Sequence, residues 1–145
     1  MRFWDTSAIV PLCVDEPRSA EVKAILSRDP SMVVWWVTRT ECASALARQV
    51  REGSLTAAGE RQARQVLQRL IDSWIEIQPT DVVRETADRS LAVHALRAAD
   101  AFQLAAALQW CQKQTRDAIL VSFDGRLREA AHREGFAVLP SEPRS

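Results

Sequence analysis

Four acidic residues occupy places where a chain could do chemistry: Asp5, Glu41, Asp100 and Asp124. Asp5 follows directly on Arg2-Phe3-Trp4, a short apolar-leaning strand. Glu41 falls in the first turn of the helix expected after Met32-Val33-Val34-Trp35-Trp36-Val37, and Asp124 comes shortly after Ala118-Ile119-Leu120-Val121. Three of the four have ordinary structural explanations. Asp5 is a good helix N-cap, Thr38 and Glu41 spell a T-x-x-E capping box, and Asp124-Gly125 is a turn dipeptide. Asp100 is harder to explain in that way. It sits within Ala98-Ala99-Asp100-Ala101-Phe102-Gln103-Leu104-Ala105-Ala106-Ala107-Leu108, apolar nearly all round and so expected to be a buried helix. A carboxylate buried there is costly unless it is paired or binds a metal, and a helix N-terminus returns only about 0.3–1 kcal/mol. Arg97, three residues earlier, is the alternative, as a salt-bridge partner.

Carboxylates that converge on one pocket repel each other and would stay partly protonated without a cation. An all-oxygen donor set suits hard Mg²⁺ or Mn²⁺, which favour octahedral coordination and retain several waters. A metal so held activates water and stabilises charge on a phosphodiester under in-line attack. The reaction class is then hydrolysis of a phosphate ester.

The elements that must position these acids are strands alternating with helices. Strands are expected over 2–4, 32–37, 74–77 and 118–121, with a probable edge strand over 137–139. Helices are expected over 8–14, 18–27, 38–51, 56–73, 81–96, 99–113 and 127–134. The 32–37 run reads as a strand buried on both faces, with Trp35 and Trp36 in the core. Such alternation predicts an α/β fold: a three-layer α/β/α sandwich on a mostly parallel, roughly five-stranded sheet. Ligands bind outside the carboxyl ends of the strands in such sheets, the edge on which Asp5, Glu41 and Asp124 should lie. One domain over 1–140 and a frayed tail over 141–145 are expected.

Composition narrows the field. The 145 residues are 47% hydrophobic and 26% charged, with 19 Lys+Arg balancing 19 Asp+Glu, so net charge neither supports nor excludes a nucleic-acid partner. No apolar run spans a bilayer and no signal-like segment opens the chain, which predicts a cytoplasmic protein without membrane contact. Cys13, Cys42 and Cys111 form no CxxC pair, so they are expected to be buried free thiols rather than zinc or redox ligands. His94 and His132 lie near no nucleophile-like Ser or Cys, the four glycines are unclustered, and Tyr is absent. A triad hydrolase, a phosphate loop and a tyrosine acid are therefore disfavoured.

Asp5-Thr6-Ser7-Ala8, Thr38-x-Thr40-Glu41, Leu96-Arg97-Ala98-Ala99-Asp100-Ala101 and Ser122-Phe123-Asp124-Gly125-Arg126-Leu127 resemble PIN-domain nucleases over essentially the whole chain. Their order and spacing are most similar to the VapC-like toxins of toxin–antitoxin pairs. The resemblance implies a PIN fold, Mg²⁺- or Mn²⁺-dependent RNA cleavage, a homodimer, and an antitoxin whose C-terminal segment lies across the acidic pocket. It implies Asp5, Glu41 and Asp100 as metal ligands, Asp124 completing the catalytic pocket, and Thr6 or Ser122 orienting a carboxylate or water. Some relatives carry a further acid two residues after the last Asp; this chain has Arg126 there, which leaves one metal or two open. Arg39, Arg48, Arg97 and Arg126 are expected near the pocket, where they could hold RNA phosphates with salt-dependent affinity or serve only as solvated surface charge. Two rivals compete with a metal-dependent endoribonuclease. One is a catalytically silent PIN-like domain that binds RNA or protein, against which the complete acid set argues. The other is a phospho-accepting receiver domain, which wants an acid pair after the first strand and a lysine near the last; Lys23 and Lys113 do not fit.

Overall fold

Phe3 and Trp4 are neighbours in sequence and both fully buried, so their strand must be covered on both faces. The computed structural model, which describes residues 1–142, shows how. Strands β1 (Arg2–Trp4), β2 (Met32–Trp35), β3 (Ile75–Ile77), β4 (Ile119–Val121) and β5 (Ala137–Leu139) form one sheet in the order β3-β2-β1-β4-β5. Every neighbouring pair is parallel. Alternate side chains divide into two cores. Phe3, Val33, Trp35 and Leu120 point to one face, where α5 (Asp81–Val93), α6 (Ala98–Trp110) and α7 (Gly125–Arg133) cover them. Trp4, Met32, Val34 and Val121 point to the other, under α1 (Thr6–Cys13), α2 (Ser19–Arg28), α3 (Thr38–Arg51) and α4 (Ala57–Ser73). The architecture is a three-layer α/β/α sandwich on an all-parallel sheet.

Parallel strands send all their carboxyl ends to one edge, and the helices running back across the sheet start there. The chain builds outward from β1 through β2 to β3, then returns to place β4 and β5 on the other side of β1. The order therefore reverses between β1 and β4, which is where such sheets open a crevice.

Several expected boundaries move. β2 ends at Trp35 instead of reaching Val37, and beyond it only the Trp36 N–H continues toward β3, donating to the Ile77 carbonyl at 3.1 Å. Trp35 is buried and stacks on Phe102 with ring centroids 5.5 Å apart. Trp36 is 50% exposed, which corrects its assignment to the core: it lies past the last ladder pairing, where the chain turns into α3. α6 stops at Trp110 because Gln112 and Lys113 adopt left-handed backbone, φ 53° and 63°. Among the described residues no single helix is long and apolar enough to cross a membrane. All three cysteines are free, Cys42 buried and Cys13 and Cys111 half-buried. Of the expected frayed tail, Ser141 and Glu142 are exposed and 143–145 lie outside the described residues.

Candidate active site

Each of the four acids sits at a helix N-terminus on the carboxyl edge. Asp5 is the N-cap of α1 and Asp124 the N-cap of α7; Glu41 and Asp100 lie in the first turns of α3 and α6. Helix N-termini carry partial positive charge, which offsets part of the cost of gathering carboxylates. The four line one open cleft of about 380 Å³, together with Thr6, Ser7, Glu16, Arg48 and Gln49.

Hydroxyl and amide donors fix one oxygen of three of these carboxylates. Asp5 Oδ2 accepts from Ser7 Oγ at 2.6 Å and Ser122 Oγ at 2.8 Å. Those hydroxyls in turn accept the Phe123 N–H at 2.9 Å and the Asp124 N–H at 3.0 Å, which stitches the β4–α7 turn to the start of α1. Glu41 Oε1 accepts from Gln103 Nε2 at 2.7 Å and from Thr6 Oγ1 at 3.2 Å. Asp124 Oδ1 accepts the Leu127 N–H at 2.9 Å, a helix cap. Among the described residues no bond engages Asp5 Oδ1, Glu41 Oε2 or Asp124 Oδ2, nor either carboxylate oxygen of Asp100 through a side chain.

Two of the ordinary explanations fail. The capping box is not formed: Val37 occupies the N-cap of α3 without a side-chain bond, Thr38 turns its hydroxyl to Gln103 at 3.1 Å, and Glu41 faces Thr6 and Gln103. Arg97 makes no salt bridge to Asp100, and the six ion pairs among the described residues leave all four cleft acids out. Asp100 is half-buried at the cleft wall rather than deep in the core, because it lies in the first turn, one residue before the buried stretch of α6 starts.

The electrostatic consequence is a raised proton affinity. Burial raises the Asp5 carboxyl above its ordinary value, opposed by the Ser7 and Ser122 hydroxyls and reinforced by Asp124. Burial also raises Glu41, with Asp5 and Asp100 adding to it. Asp100 is raised by burial, then by Asp124 and Asp5, with Arg97 offsetting only a little. A divalent cation would reverse each of these shifts. The donor set fits one: it is all oxygen, and three carboxylates each keep one oxygen free. Among the described residues no three His, Cys, Asp or Glu groups stand close enough to ligate one ion together. That spacing suits Mg²⁺, which keeps several waters and commonly takes one or two carboxylates directly.

Of the arginines, Arg48 lines the cleft. Arg39, Arg97 and Arg126 are exposed and do not line it; Arg126 borders a separate small pocket with His94 and Arg133. Three site residues escape a reading of the sequence. Ser7 adjoins the Asp5-Thr6 pair and was open to notice. Gln103 follows Asp100 by three residues, on the same helix face. Glu16 lies in the turn between α1 and α2, and no pattern separates it from a solvated acid.

The fold of this chain has solved counterparts. It is similar to VapC20 of Mycobacterium tuberculosis, described as a sarcin-ricin loop cleaving toxin, at 20% identity and TM-score 0.67 over 90% of this chain and 95% of that one. It is similar to FitAcB of Neisseria gonorrhoeae at 17% identity and TM-score 0.66 over 95% and 96%. PAE2754 of Pyrobaculum aerophilum aligns at 18% identity and TM-score 0.63 over 95% and 88%. No curated protein sequence matches the chain. The sequence pattern of the PIN domain matches residues 2–133, a span that takes in the four cleft acids and Gln103, and the chain belongs to the PIN domain family.

Proposed function

We propose that this protein is a Mg²⁺-dependent endoribonuclease, with Mn²⁺ able to substitute, and that it acts as the toxin of a toxin–antitoxin pair. The observation that carries the reading is the cleft in which Asp5, Glu41, Asp100 and Asp124 face one another with no paired cation among the described residues. The likeness to a toxin described as cleaving the sarcin-ricin loop favours RNA as the substrate.

Asp5, Glu41, Asp100 and Asp124 are assigned as the residues that would hold the metal, one or two of them directly and the others through its retained waters. When bound, Mg²⁺ supplies an activated water and neutralises charge on the scissile phosphate. The protein's own groups do the rest. Ser7 and Ser122 fix Asp5 Oδ2 and leave Oδ1 toward the cleft, while Thr6 and Gln103 do the same for Glu41. A carboxylate held in one orientation loses little freedom when it takes up a ligand. Arg48 on the cleft wall is placed to contact an RNA phosphate. We assign an antitoxin and a second copy of the chain as partners, on the sequence resemblance to VapC-like toxins.

The test is incubation of the purified protein with total cellular RNA in Mg²⁺, in Mn²⁺ and in EDTA. The proposal expects cleavage with either metal and none in EDTA. RNA that is bound and left intact in Mg²⁺ would favour a catalytically silent PIN domain.

A further inference from the structure

α6 buries seven residues, and Gln103 is the polar one among them, 1% exposed. Its amide nitrogen faces three oxygens: Glu41 Oε1 at 2.7 Å, Thr38 Oγ1 at 3.1 Å and Thr6 Oγ1 at 3.4 Å. An amide has two N–H groups, so the two shorter contacts, both to α3, take them. Its Oε1 is fully buried and has no partner among the described residues. A core position chosen for stability alone would carry leucine, as Leu104 next to it does, and leave no acceptor unmet. Turning the amide over would set Oε1 against the Glu41 carboxylate, so charge holds the nitrogen on that side. The helical offset of three residues puts Gln103 on the same face of α6 as Asp100, which lines the cleft with Glu41.

We propose that Gln103 is a positioning residue of the acidic site. Through Nε2 it pins Glu41 Oε1 inward, leaves Oε2 to the cleft, and thereby sets how tightly the site holds a divalent cation. The inference rests on the nuclease reading only in taking Glu41 as a metal ligand. Outer partners of metal ligands of this kind are worth roughly 10–100-fold in affinity or activity.

The experiment is Gln103→Met, which keeps length and apolar volume but removes the donor, with Gln103→Leu as the second variant should the first not fold. Mg²⁺ affinity is read by titration calorimetry, fold by thermal melting, and RNA cleavage in parallel. The expected result is a folded protein whose Mg²⁺ affinity drops about 10–100-fold, with no further drop when the change is made in a Glu41→Ala background. A shifted melting temperature with unchanged Mg²⁺ affinity would make Gln103 a structural residue and overturn the proposal. So would an equal loss in the Glu41→Ala background, or wild-type protein that binds no Mg²⁺. If wild-type protein cuts no RNA while Gln103→Met still weakens Mg²⁺ binding, the clamp stands and the nuclease reading fails.

Discussion

Two openings of similar size differ in what lines them. The acidic cleft at the carboxyl edge measures about 380 Å³. A second cavity, among α5, α6 and α7, measures about 300 Å³ and is lined by Thr86, Arg89, Ser90, Lys113, Thr115 and Glu134 among others. In the second, several polar groups are paired with one another, although Arg89 and Lys113 make no ion pair among the described residues. Glu134 pairs with His94 at 3.1 Å, Thr115 donates to the Glu134 carbonyl, Ser90 donates to the Thr86 carbonyl, and both signs of charge are present. In the acidic cleft three carboxylates are each satisfied on one oxygen and open on the other, and burial, with the neighbouring acids adding to it, raises the proton affinity of Asp5, Glu41 and Asp100. Volume does not separate the two openings; unbalanced charge held by rigid donors does. A site under selection for stability alone would resemble the second.

The comparison breaks if substitutions in the two regions behave alike. Asp5→Asn preserves shape and keeps an acceptor for Ser7 and Ser122, yet should lower RNA cleavage about 100-fold or more, since it removes charge where the reaction needs it. Glu134→Gln in the other cavity should leave cleavage unchanged and cost no more than about 1 kcal/mol in chemical denaturation. A smaller effect sharpens the picture of the cleft wall. Arg48→Ala should weaken RNA binding a few-fold and reduce the slope of log affinity against log salt by about 1. An unchanged slope, measured by RNA titration over a salt series, would leave Arg48 as surface charge.

Much of this was readable from the sequence, and the exceptions share a cause. The place of Asp5 and Asp124 at the carboxyl edge is legible because parallel strands must deliver their next residues to one edge, which needs only the strands to be located. Asp100 stands out because a charge in an apolar helix demands an explanation, although its place in the first turn makes it a wall residue rather than a buried one. Glu41 lines the cleft and the capping box that competes with that placement is not formed, because whether Thr38 caps α3 depends on a one-residue difference in where the helix begins. Trp36 was placed in the core because an aromatic run does not reveal where its ladder ends. Gln103 acts through a partner on another element, 62 residues away in sequence, and no local pattern reports such a contact; Ser7, two residues from Asp5, also receives the Phe123 N–H from 116 residues away. Arg97 and Arg126 adjoin site acids in sequence, but both are exposed and neither lines the cleft, since a long side chain can leave the site its neighbour joins.

If the four acids form one unneutralised site made for a divalent cation, Mg²⁺ must change thermal stability in a way that depends on pH. Carboxyls raised in the folded state bind protons more tightly than in the unfolded chain. Their contribution to stability is therefore full below the ordinary value, 3.8 for Asp5 and Asp100, and is lost as pH rises through the raised one. Mg²⁺ binds the ionised form, so it should stabilise the protein little at acid pH and by about 2.7 kcal/mol at neutral pH when present at 100 times its dissociation constant. Asp100→Asn should abolish most of that gain. An equal Mg²⁺ effect at both pH values, or one that survives Asp100→Asn, would contradict the account.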